Sequence, residues 1–218
     1  MIVKNKFPPF LYGVFAILIS SCSFYFSNIF ILILLPLLVL PLFTLKSEKP
    51  HFSLIPNWIT LFKLLLVILL LSLFDRMKPL EITLLSLLIV LVDVVDGYLA
   101  RRLNQTSKFG AIFDSEVDAF YVLTCAFGAY LYFDMPIWIL FMGYIRYLYE
   151  IPLFFLNKNK TLKKSQGRSI YAILAGIVFL VIAFSFSLAP FQYESLIVAN
   201  LILLFSFSKS FYHDFIQN

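Results

Sequence analysis

The stretch LVDVVDGYLARRLNQTSKFGAIFDSEVDAFYVL, residues 91–123, places acidic side chains between apolar segments long enough to enter a lipid bilayer. Its acids are Asp93, Asp96, Asp114, Glu116 and Asp118. An aspartate at the centre of a membrane helix costs about 2.5–3.5 kcal/mol on the insertion scale. Four regularly spaced aspartates in such a setting therefore indicate a functional site.

The composition of the whole chain accounts for the apolar flanks. The 218 residues are 61% hydrophobic and 13% charged, whereas a soluble domain has about 45–50% apolar and about 25% charged residues. The sequence therefore predicts an all-α fold, a polytopic membrane helical bundle without a separate soluble domain. The net charge of +5 is assigned to basic residues that flank membrane spans, so no nucleic-acid partner is expected.

A spanning helix needs about 20 mostly apolar residues. Eight segments are candidates: residues 9–27, 29–45, 57–74, 81–101, 110–133, 135–156, 169–188 and 191–208. The polar segment 46–56 separates the first two from the rest. We predict an N-terminal transmembrane helix pair and linker over residues 1–50 and a six-helix domain over residues 51–218. The N-terminus also has features of a signal peptide, but without a convincing cleavage site we expect a retained first helix.

The placement of Lys and Arg sets the expected topology. With the N-terminus inside, nearly all of these residues collect on one side of the membrane, whereas Arg76 and Lys78 lie on the other and Arg146 lies within a span. The positive-inside rule places the basic side in the cytoplasm. We therefore expect a multi-pass protein of the cell (cytoplasmic) membrane, with both termini and the acidic site on the cytoplasmic side.

The spacing of the aspartates predicts that they converge. Asp93 and Asp96 are three residues apart, and Asp114 and Asp118 are four apart, so each pair shares one face of a helix. The short loop between the pairs predicts a hairpin in which the two acidic faces meet. Like charges at that distance repel unless a cation offsets them. Carboxylate oxygens favour Mg²⁺, Mn²⁺ or Ca²⁺, and no nearby His or Cys favours zinc.

Small residues and an arginine accompany the acids. Gly97, Ala100 and Gly110 leave room for a backbone or a flat ligand to approach closely, and Arg101 follows directly. Metal ions, free space and an arginine together favour a diphosphate, because a divalent ion bridges phosphate oxygens and arginine pairs with the remainder. The alternative is a solvated cluster in which the acids pair with the basic residues of the loop.

The pattern Asp-x2-Asp-Gly-x2-Ala-Arg-x8-Gly-x3-Asp-x3-Asp, from Asp93 to Asp118, resembles the signature of the CDP-alcohol phosphotransferase family, with every fixed position filled. The segment IPNWITLFKLLL, residues 55–66, is similar to the start of that family's first core helix, with Lys63 where arginine is usual. The first 45 residues fall outside the resemblance. It implies a six-helix core that transfers a phosphate-containing group from a CDP-linked donor, often CDP-diacylglycerol, to an alcohol and releases CMP.

The resemblance also implies roles for individual residues. Asp93, Asp96 and Asp114 would hold two Mg²⁺ or Mn²⁺ ions on the diphosphate, and Asp118 would complete the metal site and act as general base on the acceptor hydroxyl. The CDP moiety would be bound by Asp93, Gly97, Ala100, Arg101, Gly110, Asn57 and Thr60. The implied partners are CDP-diacylglycerol, a small polar alcohol, membrane lipid and a second copy of the chain in a homodimer.

Basic residues beyond the motif are candidates for binding the acceptor. Arg146 lies inside the sixth span, where an arginine is a functional candidate, although it could instead pair with Glu150 or with the acidic cluster. Arg168 and Lys164 lie near the position of a Gly-Lys-x-Lys-Thr stretch in phosphatidylglycerophosphate synthases, and here the text reads GRSIY. These residues would bind an acceptor phosphate, which favours glycerol 3-phosphate or an inositol phosphate. Serine, choline and other alcohols stay open.

Two other classes of protein compete with this interpretation. A prenyltransferase of the intramembrane aspartate-rich type also binds Mg-diphosphate, but it normally needs two separate aspartate-rich motifs, and this chain has one continuous motif. A cation transporter would spread its acids through several spans, whereas these acids are confined to one hairpin. The leading hypothesis is therefore a membrane transferase of phospholipid synthesis.

Overall fold

The computed structural model describes residues 10–36, 54–156 and 168–215, and these residues form helices and no strand. The helices in chain order are α1 (Phe10–Tyr25), α2 (Ile55–Leu73), α3 (Pro79–Arg102), α4 (Lys108–Tyr132), α5 (Leu140–Leu156), α6 (Arg168–Ser185) and α7 (Gln192–Phe215). Two 3₁₀ segments, Ile29–Ile33 and Ile137–Ile139, follow α1 and precede α5. The all-α prediction is confirmed.

The observed helices follow the predicted spans closely, with differences at three places. The second predicted span begins as the 3₁₀ segment Ile29–Ile33, and its residues after 36 lie outside the described ranges. The fifth helix starts late because Ile137–Ile139 is also a 3₁₀ segment, and α7 extends beyond its predicted end. Among the described residues, α2 and α3 are long and apolar enough to cross a membrane, by length and composition.

Helix α4 lies at the centre of the packing. It contacts α2, α5 and α6, and its residues 119–129 are all buried. The other contacts form a series of neighbours, since α3 packs on α2 and α6, and α7 packs on α6 and α5. Helix α1 packs on α5. This order makes neighbours of helices that are not consecutive in sequence, such as α2 and α4.

The acidic stretch lies at the junction of α2, α3 and α4. Ser107 caps α4, with its hydroxyl accepting a hydrogen bond from the N–H of Gly110 at 2.9 Å, which is a favoured way to begin a helix. Residues 103–107 join α3 to α4, yet along the described residues the backbones of these two helices do not pack on each other, and both pack on α2. The Ile55 N–H donates to Oε1 of Gln105 at 3.1 Å and holds the start of α2 at this loop.

Gly128→Ala is expected to destabilise the fold, because a Cβ at Gly128 would overlap the buried ring of Phe74. Overpacking a core costs about 1–3 kcal/mol. Gly176→Ala is the matched control, since no atom lies within 4 Å of its added Cβ and alanine favours a helix over glycine by about 1 kcal/mol. Thermal unfolding in detergent should show a lower midpoint for G128A and an unchanged or higher midpoint for G176A. Equal midpoints would contradict this packing of α2 on α4.

Candidate functional site

Three of the predicted aspartates meet around the ammonium group of Lys63 on α2. The Nζ atom lies 2.7 Å from Oδ1 of Asp93 and 2.8 Å from Oδ1 of Asp118, and it also contacts Oδ1 of Asp114. One oxygen atom from each of the three carboxylates lies within 4.8 Å of the others. We call Asp93, Asp114 and Asp118 the aspartate cluster. The cluster joins Asp93 of the first predicted pair to both members of the second, Asp114 and Asp118.

The three carboxylates of the cluster are partly exposed, whereas the lysine between them is buried. The side chains of Asp93, Asp114 and Asp118 are 26%, 38% and 28% exposed, whereas that of Lys63 is 1% exposed. The carboxylates are therefore accessible from outside the protein, while the cation approaches them from its interior. A ligand can therefore reach the carboxylates from solvent.

Asp96, the fourth aspartate of the motif, is engaged elsewhere. Its side chain is buried, and its Oδ2 accepts a hydrogen bond from the hydroxyl of Thr60. Thr60 precedes Lys63 by one helical turn on α2, and Asp96 follows Asp93 by one turn on α3. The Thr60–Asp96 pair therefore lies one helical turn from the Lys63–Asp93 pair at the interface of α2 and α3. Asp96 as a metal ligand stays a prediction.

Lys63 belongs to the site, although its place in the sequence predicts no role for it. It stands where arginine is usual in the family that the motif resembles. A signal was nevertheless present, since Asn57, Thr60 and Lys63 recur every three residues in an otherwise apolar helix and therefore share one face. All three are buried. The acids of the cluster thus pair with a lysine from α2, whereas the alternative prediction paired them with the loop.

The small residues of the motif lie beside polar side chains. A Cβ at Gly97 would lie 3.5 Å from Nη1 of Arg101, so the guanidinium group of Arg101 lies next to Gly97. A Cβ at Gly110 would come within 2.6 Å of Oδ1 of Asn57, so Gly110 allows α2 and α4 to approach each other. Ala100 is half-buried on α3. The space expected at Gly110 for a ligand is occupied by Asn57, whereas the space at Gly97 is bordered by an arginine.

Arg146 on α5 binds the part of α4 that lies between two acids of the cluster. Its Nη2 donates to Oε1 of Glu116 at 2.6 Å, and its Nη1 donates to the backbone carbonyl and the hydroxyl of Ser115. Glu116 therefore points away from the cluster, as its spacing on the helix indicates. Three predicted side chains lie outside those described: Glu150, Lys164 and Arg168.

The Arg146–Glu116 pair predicts non-additive losses of stability. The losses on replacing Arg146 alone and Glu116 alone are expected to add up to more than the loss on replacing both. The two side chains are 18% and 10% exposed, and removing one partner of a buried pair costs about 3–5 kcal/mol because the other charge stays uncompensated. We expect Arg146→Met and Glu116→Met each to lower the free energy of unfolding in detergent. The double variant should lose at least about 1 kcal/mol less than the sum, and additive losses would contradict the pairing.

Comparison with known proteins identifies a family. A family profile described as CDP-alcohol phosphatidyltransferase matches residues 53–207, a range that includes Lys63 and the aspartate cluster. No solved structure gives a significant match to the chain. The matched range begins just before α2 and ends within α7, so α1 and the first 3₁₀ segment lie outside it.

Several curated proteins are similar to shorter stretches of the chain. An uncharacterised protein of Aquifex aeolicus (strain VF5) is 52% identical over 66 residues, which are 30% of this chain and 33% of that protein. A CDP-diacylglycerol–glycerol-3-phosphate 3-phosphatidyltransferase of Sodalis glossinidius (strain morsitans) is 39% identical over 67 residues, or 29% of this chain and 37% of the relative. A protein of the same name from Blochmanniella floridana is 34% identical over 73 residues, or 32% and 38%. The matches thus span between 33% and 38% of the length of each of these relatives.

Proposed function

The chain belongs to the CDP-alcohol phosphatidyltransferase family, and we propose that it moves a phosphatidyl group from CDP-diacylglycerol to a hydroxyl acceptor and releases CMP. The observation that supports this most directly is the convergence of Asp93, Asp114 and Asp118 around one cationic group. Carboxylates that bind a cation near the ends of apolar helices are suited to metal-dependent transfer from a lipid-linked diphosphate donor.

The aspartate cluster fits Mg²⁺ or Mn²⁺. Its ligand atoms are carboxylate oxygens, which hard divalent ions favour, and they already surround a positive group, the ammonium of Lys63. We propose that the cluster, with Asp96 from the adjoining turn of α3, holds two such ions. When bound, the ions would offset negative charge on the diphosphate oxygens and on the departing CMP.

Asp118 is the proposed general base. Its side chain is 28% exposed, so an acceptor can approach it, and a carboxylate within hydrogen-bond reach can take the proton of a hydroxyl group. The acceptor oxygen then bonds to the phosphorus of the phosphatidyl group, while the bond from that phosphorus to the CMP oxygen breaks. CMP leaves with the bonding electron pair, and the proton on Asp118 passes to solvent.

The CDP moiety is proposed to bind along residues 97–101 of α3. The guanidinium group of Arg101 next to Gly97 supports this placement, because guanidinium groups pair with phosphate through two parallel hydrogen bonds. Asn57 and Thr60 are buried on the facing side of α2. We propose that they shape the inner wall of this part of the site.

Glycerol 3-phosphate is the proposed acceptor, because two of the relatives have that acceptor in their names. Arg146, Arg168 and Lys164 are proposed to bind its phosphate. The contacts of Arg146 with Ser115 and Glu116 hold its guanidinium group against α4, the helix that contains Asp118. Serine, inositol phosphate, choline and other alcohols are the alternative acceptors.

We further propose that the reaction takes place at the cytoplasmic face of the cell membrane. Residues 51–218 would form a multi-pass six-helix catalytic domain, residues 1–50 an additional helix pair, and two chains a homodimer. The apolar surface of α2 and α3 supports a membrane setting, since Trp58, Leu65 and Leu84 are each more than half exposed, and large exposed apolar surfaces mark contact with lipid or protein. The acyl chains of the donor would stay in lipid while the acceptor arrives from the cytosol.

CMP release by the purified chain in proteoliposomes tests the proposed function. CDP-diacylglycerol and Mg²⁺ are supplied with one acceptor at a time, and we expect release with glycerol 3-phosphate. Release with a different alcohol alone would keep the reaction and replace the acceptor. If no acceptor releases CMP, and the chain instead transfers a prenyl group or conducts cations, the proposed function is wrong.

A further inference from the structure

We propose that Lys63 is a resident counter-ion of the aspartate cluster, whose ammonium group holds the three carboxylates together until a divalent ion takes its place. The inference rests on the proposed function, because it concerns the same site. It adds a role for a residue that has none in the proposed chemistry, and it makes metal binding an exchange of one cation for another.

The contacts of Lys63 match the number of its hydrogen-bond donors. An ammonium group has three N–H donors, and Nζ contacts one oxygen atom each of Asp93, Asp114 and Asp118. A divalent ion at the cluster would need oxygen atoms from the same three carboxylates. Because ammonium and metal ion carry charges of the same sign, their repulsion opposes binding at the same place. The two cations therefore compete.

Burial indicates why a cation is kept there in the metal-free protein. Three carboxylates with oxygens within 4.8 Å repel one another unless a positive charge lies among them. Lys63 is 1% exposed, and an ammonium group at that depth is itself costly unless it is paired and hydrogen-bonded. The lysine and the acids thus stabilise each other, and the cluster stays assembled without metal.

A lysine side chain can move its ammonium group out of the cluster more easily than an arginine could move its guanidinium group. Its ammonium is a compact charge on a flexible four-carbon chain, whereas the guanidinium group of arginine is a rigid planar fork. The head group can therefore move while α2 stays packed on α3 and α4.

Mn²⁺ binding to the full chain in detergent tests the proposal, with free Mn²⁺ measured by its electron paramagnetic resonance signal. In Lys63→Met the competing ammonium is gone, so we expect the affinity for Mn²⁺ to rise about tenfold or more, while the metal-free thermal midpoint falls. Lys63→Arg keeps a positive charge and should not show this rise. Lys78→Met removes an exposed lysine outside the cluster and should change neither quantity.

A purely structural lysine would give a different result. Its loss would lower the thermal midpoint with and without Mn²⁺ and would leave the affinity unchanged or weaker, and that outcome overturns the proposal. If K63M does not fold, wild-type chain with ¹³C-labelled lysine side chains decides the question. Saturating Mg²⁺ should shift one lysine signal, assigned to Lys63 by its absence in K63R, and an unchanged spectrum overturns the proposal.

The test is independent of the proposed reaction. Tighter Mn²⁺ binding by K63M together with no CMP release by the wild-type chain would leave the counter-ion role in place and reject the transferase chemistry. CMP release by the wild-type chain together with unchanged or weaker Mn²⁺ binding by K63M would reject the counter-ion role alone.

Discussion

Asp118→Asn is expected to lower the rate of CMP release by about 10³-fold while leaving the chain folded. A general base contributes about 10²–10⁴-fold to a rate, and the asparagine side chain has the shape of aspartate but cannot take a proton. Asp118 is also a member of the aspartate cluster, so the substitution weakens the metal site as well. The rate should be measured with CDP-diacylglycerol and glycerol 3-phosphate at saturating Mg²⁺.

Asp134→Asn is the matched control for this prediction. Asp134 is exposed and follows the far end of α4, with a φ of 52°, a left-handed conformation that asparagine also tolerates. We expect D134N to keep wild-type activity. Thermal midpoints of both variants should be compared with the wild type, so that a loss of activity is not confused with unfolding. A D118N variant that keeps more than about a tenth of the wild-type rate would exclude Asp118 as the base.

Removal of divalent ions with EDTA is expected to reduce CMP release by about 10³-fold, and added Mg²⁺ or Mn²⁺ should restore it. Charge stabilisation by a metal ion is worth several kcal/mol, and about 4 kcal/mol corresponds to about 10³-fold in rate. Zn²⁺ should restore little, because the cluster consists of carboxylates, whereas zinc favours nitrogen and sulfur ligands.

The loss of activity in EDTA is expected to be reversible. The ammonium of Lys63 contacts all three carboxylates, so the metal-free chain should stay folded and keep a cooperative thermal transition. Full activity after exhaustive treatment with EDTA would remove metal ions from the proposed chemistry. Activity that does not return with Mg²⁺, in a chain whose thermal transition is intact, would contradict a simple exchange of cations at the cluster.

Much of the fold could be predicted because the signals are local. Apolar runs of the right length predicted the helices, and within the described ranges the two 3₁₀ segments, Ile29–Ile33 and Ile137–Ile139, replaced expected helical turns. The three-residue and four-residue spacings of the aspartates predicted which side chains share a face. The relation between α3 and α4 could not be predicted in the same way, since their backbones are kept apart and both pack on α2.

The sequence by itself determined the helices and the acidic faces, because residues three or four apart lie on one side of a helix whatever the rest of the chain does. Only the tertiary structure decided the partners of those acids. Lys63 reaches Asp93, Asp114 and Asp118 from another helix, and Arg146 binds Glu116 across the interface of α4 and α5. Such pairs depend on which helices become neighbours, and that is set by the packing of side chains over the whole bundle rather than by spacing within one segment.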